Sequence, residues 1–136
     1  MIKVFFGKKG MGKTKSMVDE ANKLSAQSAG DVVFVDDSKQ LMYDLKHKIR
    51  FINVSEFPVS GQESFFGFLC GLIAEDYDID GIFVDGLSYI VDDEIGTLEG
   101  FFKKLEDLSQ RFNIKFYLSI NGDPAAMPEF LKQYAL

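Results

Sequence analysis

Apolar residues follow two rhythms along this chain. Five short runs read as strands: Ile2 to Phe6, Val32-Val33-Phe34-Val35, Arg50 to Val54, Ile82-Phe83-Val84 and Lys115 to Ile120. The second is a near-continuous β-branched run, the mark of a strand buried on both faces of a parallel sheet. Helical spacing fills the intervals. Lys13 to about Ser28 places Met17, Ala21, Leu24 and Ser28 on one face, and Gly30 ends it. Ser38 is placed to cap a short helix carrying Leu41, Met42 and Leu45. Gln62 to Glu75 aligns Phe65, Phe66, Leu69, Leu72 and Ile73, and Asp78 to Gly81 reads as a turn. Asp92, Asp93 and Glu94 form an acidic helix start suited to the helix dipole. Leu98, Phe101, Phe102, Leu105, Leu108 and Phe112 make its stripe, and Asn113 its stop. A last helix is expected from Pro124 or Pro128, burying Met127, Phe130, Leu131 and Tyr134.

Strands that alternate with helices predict a parallel sheet covered on both faces. The expected class is α/β: a three-layer α/β/α sandwich with a mainly parallel, five-stranded sheet. The chain has 136 residues and shows no repeat, linker or low-complexity run, so residues 1–136 are expected to form one domain. At 46% hydrophobic residues, with 14 Phe and no Trp, the core should be rich in phenylalanine. No apolar run approaches the ~20 residues of a membrane span. Ile2 to Phe6 is too short for a signal peptide, so a cytoplasmic protein is expected.

Composition removes several chemistries. Cys70 is the only cysteine, which excludes an intramolecular disulfide and a cysteine zinc site, and its apolar surroundings read as core. His47 is the only histidine, set between Lys46 and Lys48, so a histidine triad or multi-histidine metal site is excluded. The net charge of −6 argues against non-specific nucleic-acid binding, which needs a basic surface.

One stretch carries chemistry of its own. Gly7-Lys8-Lys9-Gly10-Met11-Gly12-Lys13-Thr14 has the spacing G-x-x-x-x-G-K-T, the Walker A pattern or P-loop, between a strand and a helix. In that context successive amides form a concave nest, and the next helix adds the positive end of its dipole. Gly7, Gly10 and Gly12 are read as supplying backbone angles closed to other residues. The phosphate-binding set is Gly7 to Lys15, that is Gly7, Lys8, Lys9, Gly10, Met11, Gly12, Lys13, Thr14 and Lys15. Lys13 is expected to reach the outer phosphates, and the Thr14 hydroxyl to ligate Mg²⁺.

A P-loop also needs a carboxylate at the end of a nearby strand. Gly81-Ile82-Phe83-Val84-Asp85 supplies one, so Asp85 is the Walker B candidate and the second Mg²⁺ residue. Gly86 stands where many P-loop ATPases carry a catalytic Glu, so a base must come from another strand end. Asp37 is the first choice, with Asp36 and Glu56 as rivals. Asn121, at the end of the fifth strand, could contact a γ-phosphate or the attacking water.

Taken together, these pieces resemble the RecA-like ATPase core, the group of P-loop NTPases that includes KaiC-type and DnaB-type proteins. Phe34-Val35-Asp36-Asp37 resembles the strand that ends in that group's catalytic acid. Phe83-Val84-Asp85-Gly86-Leu87-Ser88-Tyr89-Ile90 resembles the Walker B strand, and Tyr117-Leu118-Ser119-Ile120-Asn121 the sensor strand. The resemblance implies a Mg²⁺-dependent ATP-binding protein with ATPase activity, working as a homo-oligomer or with a protein partner. The family's acid is usually Glu, and Ser38 takes one alignment of that position, so slow hydrolysis is implied. No Asn/Thr-Lys-x-Asp stretch reads guanine, which favours ATP. Arg111 and Lys132 are the cations considered for an inter-subunit finger, and each reads as surface. The loop also echoes the deviant Walker A of MinD/ParA-type ATPases, with Lys8 at their signature lysine and Lys9 where they carry Gly. A nucleotide sensor without turnover and a small-molecule kinase remain alternatives; only Arg50 and Arg111 are available for a kinase's arginine lid.

Overall fold

A computed structural model describes residues 1–136. Its strands are β1 (Ile2–Gly7), β2 (Asp31–Asp36), β3 (Arg50–Asn53), β4 (Ile79–Val84) and β5 (Lys115–Asn121). Its helices are α1 (Lys13–Gln27), α2 (Gln62–Glu75), α3 (Leu87–Val91) and α4 (Glu99–Phe112). The five strands form one sheet in the order β1-β5-β4-β2-β3, with every pairing parallel. The α/β class and the parallel five-stranded sheet are as expected.

The period of two along each strand divides the core. Val33, Val35, Ile82, Val84, Phe116, Leu118 and Ile120 face a 24-residue cluster completed by α2, α3 and α4. Val32, Phe34, Phe83 and Tyr117 face a smaller cluster of nine residues under α1, with Leu45 and Ile49. Within α1 the buried face is Met17, Val18, Ala21 and Ser25, so the stripe is rotated from the one expected through Leu24 and Ser28. Gly81 brings α1 close, because a Cβ there would lie 2.5 Å from the Leu24 Cδ2.

Four local expectations are corrected. No helix follows Ser38; residues 38–48 are bends and turns. Asn22 of α1 explains this, donating to the Asp44 carbonyl at 3.1 Å and accepting from the Lys46 N–H at 2.9 Å, so the segment is tied to α1 in place of its own helix ladder. Residues 79–81 belong to β4 and not to a turn. The acidic triplet does not start a helix. Asp92 ends α3 in the left-handed region at φ 56°, and Asp93 accepts from the Gln62 N–H at 2.9 Å, capping α2 instead. Finally, the residues after Asp123 make only two short 3-10 turns, Pro124–Ala126 and Glu129–Leu131. Met127 precedes Pro128, is held extended at ψ 128°, and cannot continue a helix. The tail lies along β1, where the Val4 N–H donates to the Tyr134 carbonyl and the Leu136 N–H to the Val4 carbonyl, both at 2.9 Å.

Glycine positions separate cleanly by their surroundings. A Cβ on Gly30 would sit 2.2 Å from the Asp78 carbonyl oxygen, whereas one on Gly71, inside α2, meets nothing within 4 Å. Gly71→Ala should therefore stabilise the fold by about 0.5–1 kcal/mol. Gly30→Ala should cost roughly 1–3 kcal/mol, because backbone must move. Urea unfolding of the two variants checks the opposite signs.

Candidate functional site

An aromatic row crosses the α1 face of the sheet. Phe51, Phe34, Phe83 and Tyr117 are register neighbours on β3, β2, β4 and β5. Their rings stack at centroid distances of 6.4, 6.0 and 4.5 Å, nearly parallel between Phe83 and Tyr117 at 2°. Two residues further along each strand, on the same face, stand Asn53, Asp36, Asp85 and Ser119. The sheet thus carries a polar row directly beyond its aromatic one, at the carboxyl edge where open α/β sheets bind ligands.

Asp85 is buried and fully engaged. Its Oδ1 accepts from the Ser119 hydroxyl at 2.5 Å, and its Oδ2 from the Thr14 hydroxyl at 3.1 Å. Ser119 Oγ in turn accepts the Gly86 N–H at 2.8 Å. Asp36, 5% exposed, has a single partner, the Asp37 N–H at 2.7 Å to its Oδ1. Burial raises the Asp36 carboxyl to about 7, with the Asp85 and Asp37 charges adding to the rise and the Asp37 N–H opposing it.

Residues 8–12 connect β1 to α1. Gly10 and Gly12 adopt left-handed angles, φ 89° and 84°. Gly7 does not; it ends β1, and a Cβ there would lie 3.3 Å from the Met11 Sδ, so its need is for space rather than for a forbidden angle. Gly12 caps α1 without a side chain, and no acid occupies the first turn. The first-turn amides of α1 therefore have no side-chain partner, and the positive end of its dipole faces the polar row. Lys13 Nζ donates to the Lys8 carbonyl at 2.8 Å.

Between the loop and the polar row lies a cleft of about 460 Å³. The structure brings Lys9, Gly10, Gly12, Lys13, Thr14, Asp37, Asp85 and Asn121 to its wall. Gly7, Lys8, Met11 and Lys15 do not line it, and Lys15 is turned away into an exposed ion pair with Asp19 at 2.9 Å. Glu56 is also absent from the wall. Asp36, weighed only as a rival, lines the cleft together with Ser38, Gln40, Leu41, Gly86, Tyr89 and Ser119. Strand alternation is the signal for two of these: Asp36 shares parity with Phe34, and Ser119 with Asn121. Nothing local marks Tyr89, 58% exposed on the short α3. Arg111 and Lys132 form exposed ion pairs with Asp107 and Glu129.

The donor set also bears on a metal. No group of three or more His, Cys, Asp or Glu side chains is arranged to hold an ion alone. Thr14 and Asp85 offer two oxygen donors side by side, which fits Mg²⁺, an ion that keeps several waters and shares its shell with phosphate.

No protein-family model matches the chain, and no curated protein matches it in sequence. Its fold is similar to that of the flagellar accessory protein FlaH from Methanocaldococcus jannaschii, at a TM-score of 0.59 and 18% identity. The match covers 94% of this chain and 63% of FlaH, so this chain spans under two thirds of that protein's length. The likeness, with the all-parallel sheet, establishes a RecA-like α/β fold.

Asp36 gives the site a pH signature. Between the ordinary carboxyl value of 3.8 and about 7, the folded chain holds a proton that the unfolded chain has released. Stability from this group therefore falls as pH rises through that window. Asp36→Asn keeps an acceptor for the Asp37 N–H and removes the charge. In chelating buffer at pH 8 it should melt about 3–6 °C above wild type, with the gap closing toward pH 4. An equal gap at both pH values in thermal melts would reject this account.

Proposed function

We propose that this protein binds Mg-ATP at the Gly7–Thr14 loop and hydrolyses it slowly. The observation that carries the reading is the Thr14 hydroxyl resting on Asp85 Oδ2 at the amino end of a helix with no side-chain cap. A hydroxyl, a strand-end carboxylate, free helix amides and a lysine converge on one cleft. That combination suits a triphosphate with its divalent cation.

In this reading the amides of residues 10–14 hold the β-phosphate, and Lys13 leaves the Lys8 carbonyl for the outer phosphates. Thr14 and Asp85 hold the cation, which when bound offsets phosphate charge. Ser119 fixes the Asp85 rotamer by taking its Oδ1, leaving Oδ2 turned to Thr14. Asp36 is assigned as the proton acceptor for the attacking water, ahead of Asp37. It shares the row and the face of Asp85, whereas Asp37 lies exposed at the cleft rim. Asn121 orients the water or the γ-phosphate. With Gly86 in place of an acid after Asp85, one carboxylate must do this work, which supports slow turnover.

Binding and phosphate release separate the roles. Lys13→Ala should weaken Mg-ATP binding at least tenfold, about 1.4 kcal/mol. Asp36→Asn should leave affinity within a few-fold while cutting phosphate release by about 10²–10⁴. Calorimetric titration and a phosphate-release assay read both. Binding with no release in wild type would make the protein a nucleotide sensor; unchanged binding in Lys13→Ala would remove the site altogether.

A further inference from the structure

We propose that Met11 is a modification site that governs the loop: oxidation of its thioether to the sulfoxide by a peroxide locks the loop against phosphate. The inference rests on the loop being the phosphate site. Three observations carry it. The Lys8 N–H, a loop amide, donates to Met11 Sδ at 3.2 Å. That sulfur lies over Gly7, 3.3 Å from where a Cβ would stand, so it closes the inside of the turn. Met11 is also 64% exposed, the most open methionine among those exposed in the chain, while Met17 beneath the loop's helix is fully buried.

The same short turn holds the lysine. The Lys8 carbonyl accepts from the Met11 N–H at 3.3 Å and from Lys13 Nζ at 2.8 Å. Residue 8 is thus held at both ends: its carbonyl by the Met11 N–H and Lys13, which phosphate must draw away, and its N–H by the sulfur that fixes where that carbonyl stands. A thioether is a weak acceptor and yields its amide readily. A sulfoxide oxygen is a strong one and would not. The step balances without other reagents. A sulfur lone pair attacks one oxygen of hydrogen peroxide, the S–O bond forms as the O–O bond breaks, and the second oxygen takes the proton of the first and leaves as water. Sulfur gives up two electrons and the peroxide takes them. Methionine sulfoxide reductase chemistry reverses the change.

The test uses the intact protein, treated with hydrogen peroxide until peptide mass mapping shows Met11 fully oxidised. Wild type should then bind Mg-ATP at least tenfold more weakly and recover after enzymatic sulfoxide reduction. Met11→Leu, whatever its starting affinity, should be unmoved by the same treatment. A second readout needs no nucleotide: the Lys8 amide, followed by NMR hydrogen exchange, should exchange more slowly in the oxidised protein. Equal loss of affinity in Met11→Leu, or full oxidation with both affinity and Lys8 exchange unchanged, would overturn the proposal. Failure of untreated wild type to bind Mg-ATP would count against the nucleotide site instead; the Lys8 exchange then decides the latch alone, and unchanged exchange sinks it.

Discussion

Side chains on a parallel strand alternate, and adjacent strands share a register. That constraint decides where everything in this site stands. Phe34, Phe83 and Tyr117 stack because they occupy equivalent positions on three neighbouring strands. Once they are fixed, the residues two positions on have no freedom in which face they reach. Asp36, Asp85 and Ser119 must emerge toward α1. The aromatic row is therefore both core and template: it fills the space under α1 and holds a line of polar groups at the sheet edge. A slip of one residue in β2 or β4 would send an aspartate into the larger apolar cluster, where no partner waits.

The two aspartates in that row are treated differently, and the difference is chemical. Asp85 has its oxygens divided between two hydroxyls, Ser119 and Thr14. Asp36 has one amide and a neighbouring carboxylate. Burial, more than the neighbouring charges, raises the Asp36 carboxyl, which has only the one amide to set against it. A cation brought to Thr14 and Asp85 would change that balance, because opposite charge favours the ionised form of every carboxylate within a few ångström. Cation binding and the charge of Asp36 are thus coupled through the same few atoms. The acidic net charge of the chain does not oppose an anion at the loop, since the amides and Lys13 act over contact distances and remote charges are screened.

The sequence displayed the strands and the loop more plainly than the connections. Parallel strands declare themselves by β-branched runs, and a strand–glycine loop–helix order is local. What could not be read locally was decided by contacts across the chain. The segment after Ser38 has helix-like spacing, but Asn22, sixteen positions upstream of Ser38, claims its backbone. Asp93 looks like the start of the helix that follows it, yet caps a helix that precedes it by thirty-one positions. The burial of Asp36 beside an exposed Asp37 is of a different kind. Parity counted from Phe34 places Asp36 on the α1 face, so the information lay in the strand itself. Tyr89 carries no such mark, because α3 is a single short turn set by left-handed residues at Gly86 and Asp92.

The loop itself is closed by weak bonds of its own making. The Lys13 ammonium lies on a neutral carbonyl and the Lys8 amide on a thioether, so neither contact pairs opposite charges. A charged oxygen is a stronger acceptor than either a carbonyl or a thioether. An anion entering the turn would therefore exchange poor partners for better ones at each group it meets. The resting contacts keep the lysine and the amide from standing unsatisfied, and they hold the turn near the shape that Gly10 and Gly12 make available. If the proposed ligand binds here, selectivity lies in what can engage Lys13, the helix amides and the Thr14–Asp85 pair together. In the proposed reading a lone carboxylate or a single phosphate meets only part of that set, and a polyphosphate with its cation meets all of it.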